Sequence, residues 1–217
     1  MIDQPVRPQI PAQLEQTRIV AILRRTDPAE AVEIARALLA GGICCLEVTC
    51  DSPGAFDMIG AIRQAVGEDS LVGAGTVLDA ASAEAALKAG AAFLVSPHTD
   101  TSLIGRFAER GVPWIPGAFT ATEILTAWRA GACVVKLFPA ASVGPNYVKD
   151  IRGPLREIPL LPTGGVDLDN AAAFFRAGAW GLGIGSSLVD PRLVAARDFR
   201  QIQQRAAGFI KAARDAA

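Results

Sequence analysis

The chain has 217 residues, 51% of them apolar and 20% charged, and a formal net charge of -1 at pH 7. It is long enough to bury a sizeable core as one domain, and its Lys and Arg residues are scattered, which argues against a nucleic-acid partner. No apolar run approaches the ~20 residues of a spanning helix, and MIDQPVRPQIPAQLEQT lacks a secretory layout, so a cytoplasmic protein with a small-molecule partner and no membrane association is expected.

In chain order, residues 1–17 read as an amino-terminal extension or a helix packing on the single domain that spans 1–217. A strand follows over 18–24 (RIVAILR), closing on Arg24. Asp27-Pro28 with Glu30 marks a helix start, a cap with proline at the first helical position. The second strand, 43–49 (ICCLEVT), carries Glu47, and the third, 71–77 (LVGAGTV), carries Thr76. Further strands are predicted at 92–97 (AFLVSP), ending on Pro97, at 112–116 (VPWIP) and at 133–138 (CVVKLF), which holds Lys136 and Phe138. The last two are 158–163 (IPLLPT), ending on Thr163, and 180–185 (WGLGIG). Asp167 introduces a helix over 168–177. A final helix over 191–214 places Leu193, Ala196, Phe199, Ile202, Ala206 and Phe209 at three- and four-residue steps, so it packs one face on the wall of strands.

A repeat underlies this order. "LLAGGICCLEV", "LKAGAAFLVS", "AERGVPWIPG", "WRAGACVVKLF" and "FRAGAWGLGIG" each run from an Ala-rich helical segment through a glycine into an apolar strand. Gly41, Gly90, Gly111, Gly131 and Gly178 each fit the position after a helix where the backbone turns left-handed. Continuous apolar strands indicate burial on both faces and hence parallel pairing. Eight such units with no leftover domain favour a (β/α)8 barrel of the TIM type over an open doubly wound sheet, the alternative architecture. In the barrel, reactive groups gather where the strands end.

Lys136 is one of only four lysines and the one without an obvious route to water. Burial disfavours an ammonium, so this lysine is either a nucleophilic amine that forms a Schiff base or one that pairs with a barrel carboxylate or snorkels to the rim. Glu47 is likewise a lone charge in an apolar strand, and the two are expected to meet, as an ion pair or as nucleophile and proton shuttle. Gly164-Gly165 and Gly185-Ser186, after the seventh and eighth strands, suit a phosphate site, against the plainer reading of tight turns. The glycines of "GAGTV" keep side chains out of the centre, and Thr76 offers a hydroxyl. Arg24 suits a two-pronged contact with a carboxylate; Arg25, next in line, should point elsewhere. His98 ranks below Glu47 as an acid or base. Cys44, Cys45, Cys50 and Cys133 contain no metal-type CxxC pair and read as buried thiols. No carboxylate or histidine cluster suggests a metal.

In series, "IVAILR", "GGICCLEVT", "VGAGTV", "FLVSP", "PGAFTATE", "VVKLFPA", "GPNYVKDIRGP", "PTGGVDLDN" and "GIGSSLV" resemble the 2-keto-3-deoxy-6-phosphogluconate (KDPG) aldolases, also called 4-hydroxy-2-oxoglutarate (KHG) aldolases, over nearly the whole chain. The resemblance implies a (β/α)8 barrel, commonly a homotrimer, that uses a lysine imine and no metal or other cofactor to release pyruvate from a phosphorylated 2-keto-3-deoxy sugar acid. It assigns Lys136 as the imine lysine and Glu47 as general acid and base. Thr76, Pro97, Phe138 and Thr163 would line a pyruvate pocket, and Gly164, Gly165 and Ser186 would hold phosphate. The chain departs from the pattern at Asp51, where some members carry an arginine for the substrate carboxylate. Arg24 matches another family arginine and takes over that contact, while Asp51 is expected to face solvent or an arginine. Similar wording at this place in the related 2-keto-3-deoxy-6-phosphogalactonate aldolases leaves the C4 preference open. A metal-dependent enzyme and a non-catalytic phosphate-binding barrel remain the other readings.

Overall fold

Short parallel strands alternate with helices over residues 6–216, the part of the chain that the computed structural model describes. Of the expected extension, residues 1–5 lie outside the described residues; its remainder contains helix α1, Ala12–Thr17. The strands are β1 (Ile19–Leu23), β2 (Cys45–Thr49), β3 (Leu71–Gly75), β4 (Leu94–Val95), β5 (Trp114–Ile115), β6 (Gly117–Ala118), β7 (Val135–Leu137), β8 (Leu160–Pro162) and β9 (Leu182–Ile184). Between them lie α2 (Pro28–Ala40), α3 (Ala55–Val66), α4 (Ala80–Lys88), α5 (Thr101–Ala108), α6 (Ala121–Arg129), α7 (Gly144–Arg152) and α8 (Ala171–Arg176); α9 (Pro191–Ala195) and α10 (Phe199–Asp215) follow. Among the described residues no helix is long and apolar enough to cross a membrane.

The strands form a curled parallel sheet in two parts, ordered β5-β4-β3-β2-β1-β9 and β6-β7-β8. The division arises at Pro116. The strand expected over 112–116 is interrupted there, because proline has no N–H to continue a ladder; β5 pairs with β4, and β6 pairs with β7. Hydrogen bonds nevertheless join the parts on both sides. The Cys133 N–H donates to Trp114 O at 3.2 Å and the Lys136 N–H to Pro116 O at 2.9 Å, while on the far side Trp180 N–H donates to Leu160 O at 2.9 Å and Thr163 bridges Gly183.

Within each strand, successive side chains go to opposite faces. Ile19, Ala21, Leu46, Val48, Leu94, Trp114, Val135, Leu137, Leu160 and Leu182 pack outward beneath the helices. Val20, Cys45, Val95, Ile115, Val134 and Leu161 pack inward with Phe93, in a separate apolar cluster sealed by Leu14 of α1. Glu47 and Lys136 each stand two residues beyond a member of this inner cluster, Cys45 and Val134, and therefore on the same inward face.

Three local expectations are corrected. Gly41 is not the left-handed residue after α2: its φ is -84°, and Gly42 takes the turn at +92°. Gly41 is needed because a Cβ there would press on Ala206 and the Gln203 carbonyl of α10. The other four repeat glycines do adopt positive φ. The helix expected over 168–177 begins only at Ala171, since Asp167 spends its carboxylate on the N–H groups of Asp169 and Asn170, at 3.0 Å each, in a turn. The helix expected over 191–214 is two helices, broken where Arg197 turns left-handed (φ 53°) and reaches Glu30 of α2 at 2.5 Å; Asp190 and Asp198 cap the two pieces.

Candidate active site

Where the strands end, a cavity of about 640 Å³ opens, lined by Arg24, Glu47, Thr76, Pro97, Lys136, Phe138, Thr163, Gly164, Gly165 and Ser186. Every site residue anticipated from the sequence thus borders one space. His98 does not. It is exposed, on the loop after β4.

Lys136 enters from β7 and Glu47 from β2; they are 7% and 2% exposed. A structural ion pair would bring them into contact, yet among the described residues no carboxylate lies within 4.0 Å of the Lys136 ammonium. Its Nζ sits 5.1 Å from the Phe138 ring centroid. Removal from water pushes the Glu47 carboxyl above its ordinary range. The positive charges of Lys136 and then Arg24 oppose that rise, and Asp51 adds to it. Room for the Glu47 carboxylate comes from β3: a Cβ on Gly75 would collide with it. On the next layer, Gly73 gives its space to Phe93 and Gly183 gives its space to Thr163.

Gly164 and Gly165 turn the chain at φ values of 87° and 75°, which a side chain would resist. A Cβ on Gly165 would also strike Ala141. The two glycine loops are fastened to each other by the Ser187 hydroxyl, which donates to Val166 O at 2.6 Å, and Asn170 Nδ2 secures Gly165 O at 2.9 Å. Backbone amides at such a concave rim can hold an anion.

At the opposite rim, Arg24 Nη2 donates to Asp51 Oδ2 at 2.9 Å, so Asp51 faces an arginine and restrains it. Arg25 corrects the sequence expectation. It also lines the cavity, its Nε 3.9 Å from the same carboxylate, because its backbone at φ 52° swings the side chain back toward the rim. Thr49, 1% exposed, and Ser187 line the cavity without having been singled out from sequence. Thr49 was within reach of strand periodicity, lying two residues beyond Glu47 on the same face; its Oγ1 is 3.0 Å from Ser52 Oγ. Among the described residues, no three His, Cys, Asp or Glu side chains converge as a metal site would require.

Known proteins share this fold and resemble the sequence. A family model described as KDPG and KHG aldolase matches residues 10–205. The 2-dehydro-3-deoxy-phosphogluconate aldolase of Treponema pallidum is 40% identical over 193 residues, 87% of this chain and 90% of its own. The 2-dehydro-3-deoxy-6-phosphogalactonate aldolase of Escherichia coli is 36% identical over 199 residues, 91% of this chain and 95% of its own. The KDPG aldolase of Legionella pneumophila, solved with pyruvate captured at low pH as a covalent carbinolamine intermediate, aligns with a TM-score of 0.83 at 27% identity, covering 91% of this chain and 96% of that one. On the span of the family match and the identity to these relatives, the chain belongs to the KDPG and KHG aldolase family.

Proposed function

We propose that this protein cleaves 2-keto-3-deoxy-6-phosphogluconate to pyruvate and glyceraldehyde 3-phosphate through an imine on Lys136, and that it also accepts 4-hydroxy-2-oxoglutarate. The observation that carries the reading is an amine and a carboxylate brought from different strands into one cavity, both buried and neither spent on the other. The Legionella relative's covalent pyruvate adduct supports the same chemistry.

The Lys136 amine, once it has given up its proton, adds to the C2 ketone, giving a carbinolamine that loses water to form an iminium. Glu47, through a water, takes the C4 hydroxyl proton while the C3–C4 bond breaks. Its electron pair moves into the iminium, leaving an enamine, and the aldehyde departs. Glu47 returns the proton to C3, and hydrolysis releases pyruvate and the lysine. Thr76, Pro97, Phe138 and Thr163 surround the pyruvate portion; Gly164, Gly165 and Ser186 receive the phosphate, and Arg24 the carboxylate. The reading requires no metal. Borohydride with pyruvate is expected to attach a stable adduct to Lys136 that Lys136→Ala lacks; unmodified wild-type protein would leave only a binding role.

A second reading, cleavage of the galactonate epimer, draws on Asp51, which holds Arg24 where some relatives place another arginine, and on the Escherichia coli relative. Comparing retro-aldol rates on the two sugar-acid phosphates separates the readings; comparable rates would make the gluconate name too narrow.

The accompanying architecture is one (β/α)8 barrel domain over 1–217, with the amino-terminal extension as its base. The hydrogen bonds across Pro116 and the Thr163–Gly183 bridge support closure. A cytoplasmic homotrimer completes the proposal, and sedimentation should find three chains.

A further inference from the structure

A second cavity of about 640 Å³ lies at the opposite end, where the strands begin. Among the described residues, Arg7, Arg18, Arg152 and Arg156 line it, with one carboxylate, Glu157, and with Trp180 and Trp128 as flat walls. Elsewhere Arg24, Arg106, Arg110, Arg192, Arg197 and Arg205 sit against carboxylates, whereas among the described residues Arg63, Arg129, Arg176, Arg200 and Arg214 stand singly without one. Among the described residues, none of the four in this cleft has a carboxylate within 4.0 Å.

Two of the four are fixed in place without being neutralised. Arg7 lies over the Trp128 ring, 3.1 Å from its centroid, and donates to Trp128 O at 2.9 Å and Ala132 O at 3.3 Å. Arg152 donates to Ile158 O at 3.1 Å and to Arg156 O. Carbonyls orient a guanidinium and leave its full charge in the cleft. Arg18 and Arg156 are exposed and complete the ring of charge. Four cations with one anion among them repel one another, and a guanidinium fork matches the oxygens of phosphate. The volume is that of a small-molecule site.

We infer that this cleft is a second ligand site, distinct from the aldolase cavity, and that it takes a compact anion bearing two or more phosphate groups. Arg18 and Arg156 grip the phosphates, and Arg7 and Arg152 supply fixed positive charge behind them.

The tryptophans provide the readout. Trp128 and Trp180 line this cleft, the third tryptophan, Trp114, is buried at 1% exposure, and none lines the aldolase cavity. Titrating the full chain with inorganic pyrophosphate should give a saturable fluorescence change. Arg18→Ala and Arg156→Ala should each weaken binding about tenfold, the worth of one charge-assisted contact. Glu157→Gln should tighten it, since it removes an opposing charge, and retro-aldol activity should be unaltered in all three. No saturation below about 1 mM, or an undiminished change in the Arg18→Ala/Arg156→Ala double variant, would overturn the proposal.

Discussion

Glu47 shows what burial costs a carboxylate and what the site gains. Its carboxyl titrates above the ordinary range chiefly because water is excluded from it. A carboxyl raised in this way contributes stability while protonated, below its unfolded value, and that contribution is lost as pH rises through the folded value. Glu47→Gln has no such loss. Its melting temperature should therefore exceed wild type at about pH 8 and converge with it near pH 4, while turnover falls by roughly 10² to 10⁴. A variant that melts lower than wild type at both pH values would refute the assignment. Gly75 is the complementary case: alanine there meets the Glu47 carboxylate. Displacing a proton shuttle by about 1 Å costs on the order of 100-fold, so Gly75→Ala should lose activity of that size while steady-state kinetics on Glu47→Gln show no further loss when the two changes are combined.

The helix α1 tests an element. Leu14 is fully buried against the inner cluster, so Leu14→Ala should cost about 2–5 kcal/mol in urea denaturation with KM unaltered, because the cavity lies at the other end of the strands. A loss under about 1 kcal/mol would mean the helix merely rests on the surface. At this scale the sequence was legible where one physical signal dominates. Lone charges in apolar strands marked Glu47 and Lys136, and repeated glycines marked four of the five helix ends. It was misread where two signals compete. Gly41 and Gly42 both suit a turn, and only the close approach of α10 tells which is needed for packing. Asp167 reads as a cap, yet its carboxylate closes a turn three residues early. Arg197 carries no breaker residue type; its partner Glu30 lies far away in sequence. Ser187 is not legible because hydroxyls look alike from sequence, and the contacts that place it come from the loop at Val166 and from Arg205 of α10.

For the molecule as a whole, the decisive matter is whether the wall of strands behaves as one unit across Pro116 and across Thr163–Gly183. If it does, the amides of Cys133, Lys136 and Trp180, which join its two parts, should exchange with solvent only as the whole protein unfolds. Exchange of those three through a lower-energy opening, with β1 to β3 still protected, would show a seam instead. The two ends of this wall differ in kind: one receives α1 and the basic cleft, the other opens into the aldolase cavity. A tether joined ahead of Val6 therefore leaves from the face remote from catalysis. Catalyst anchored to a bead by that tether should keep its entrance turned toward the flowing reactants, whereas anchoring through the loop at Ser142 would set the entrance against the support.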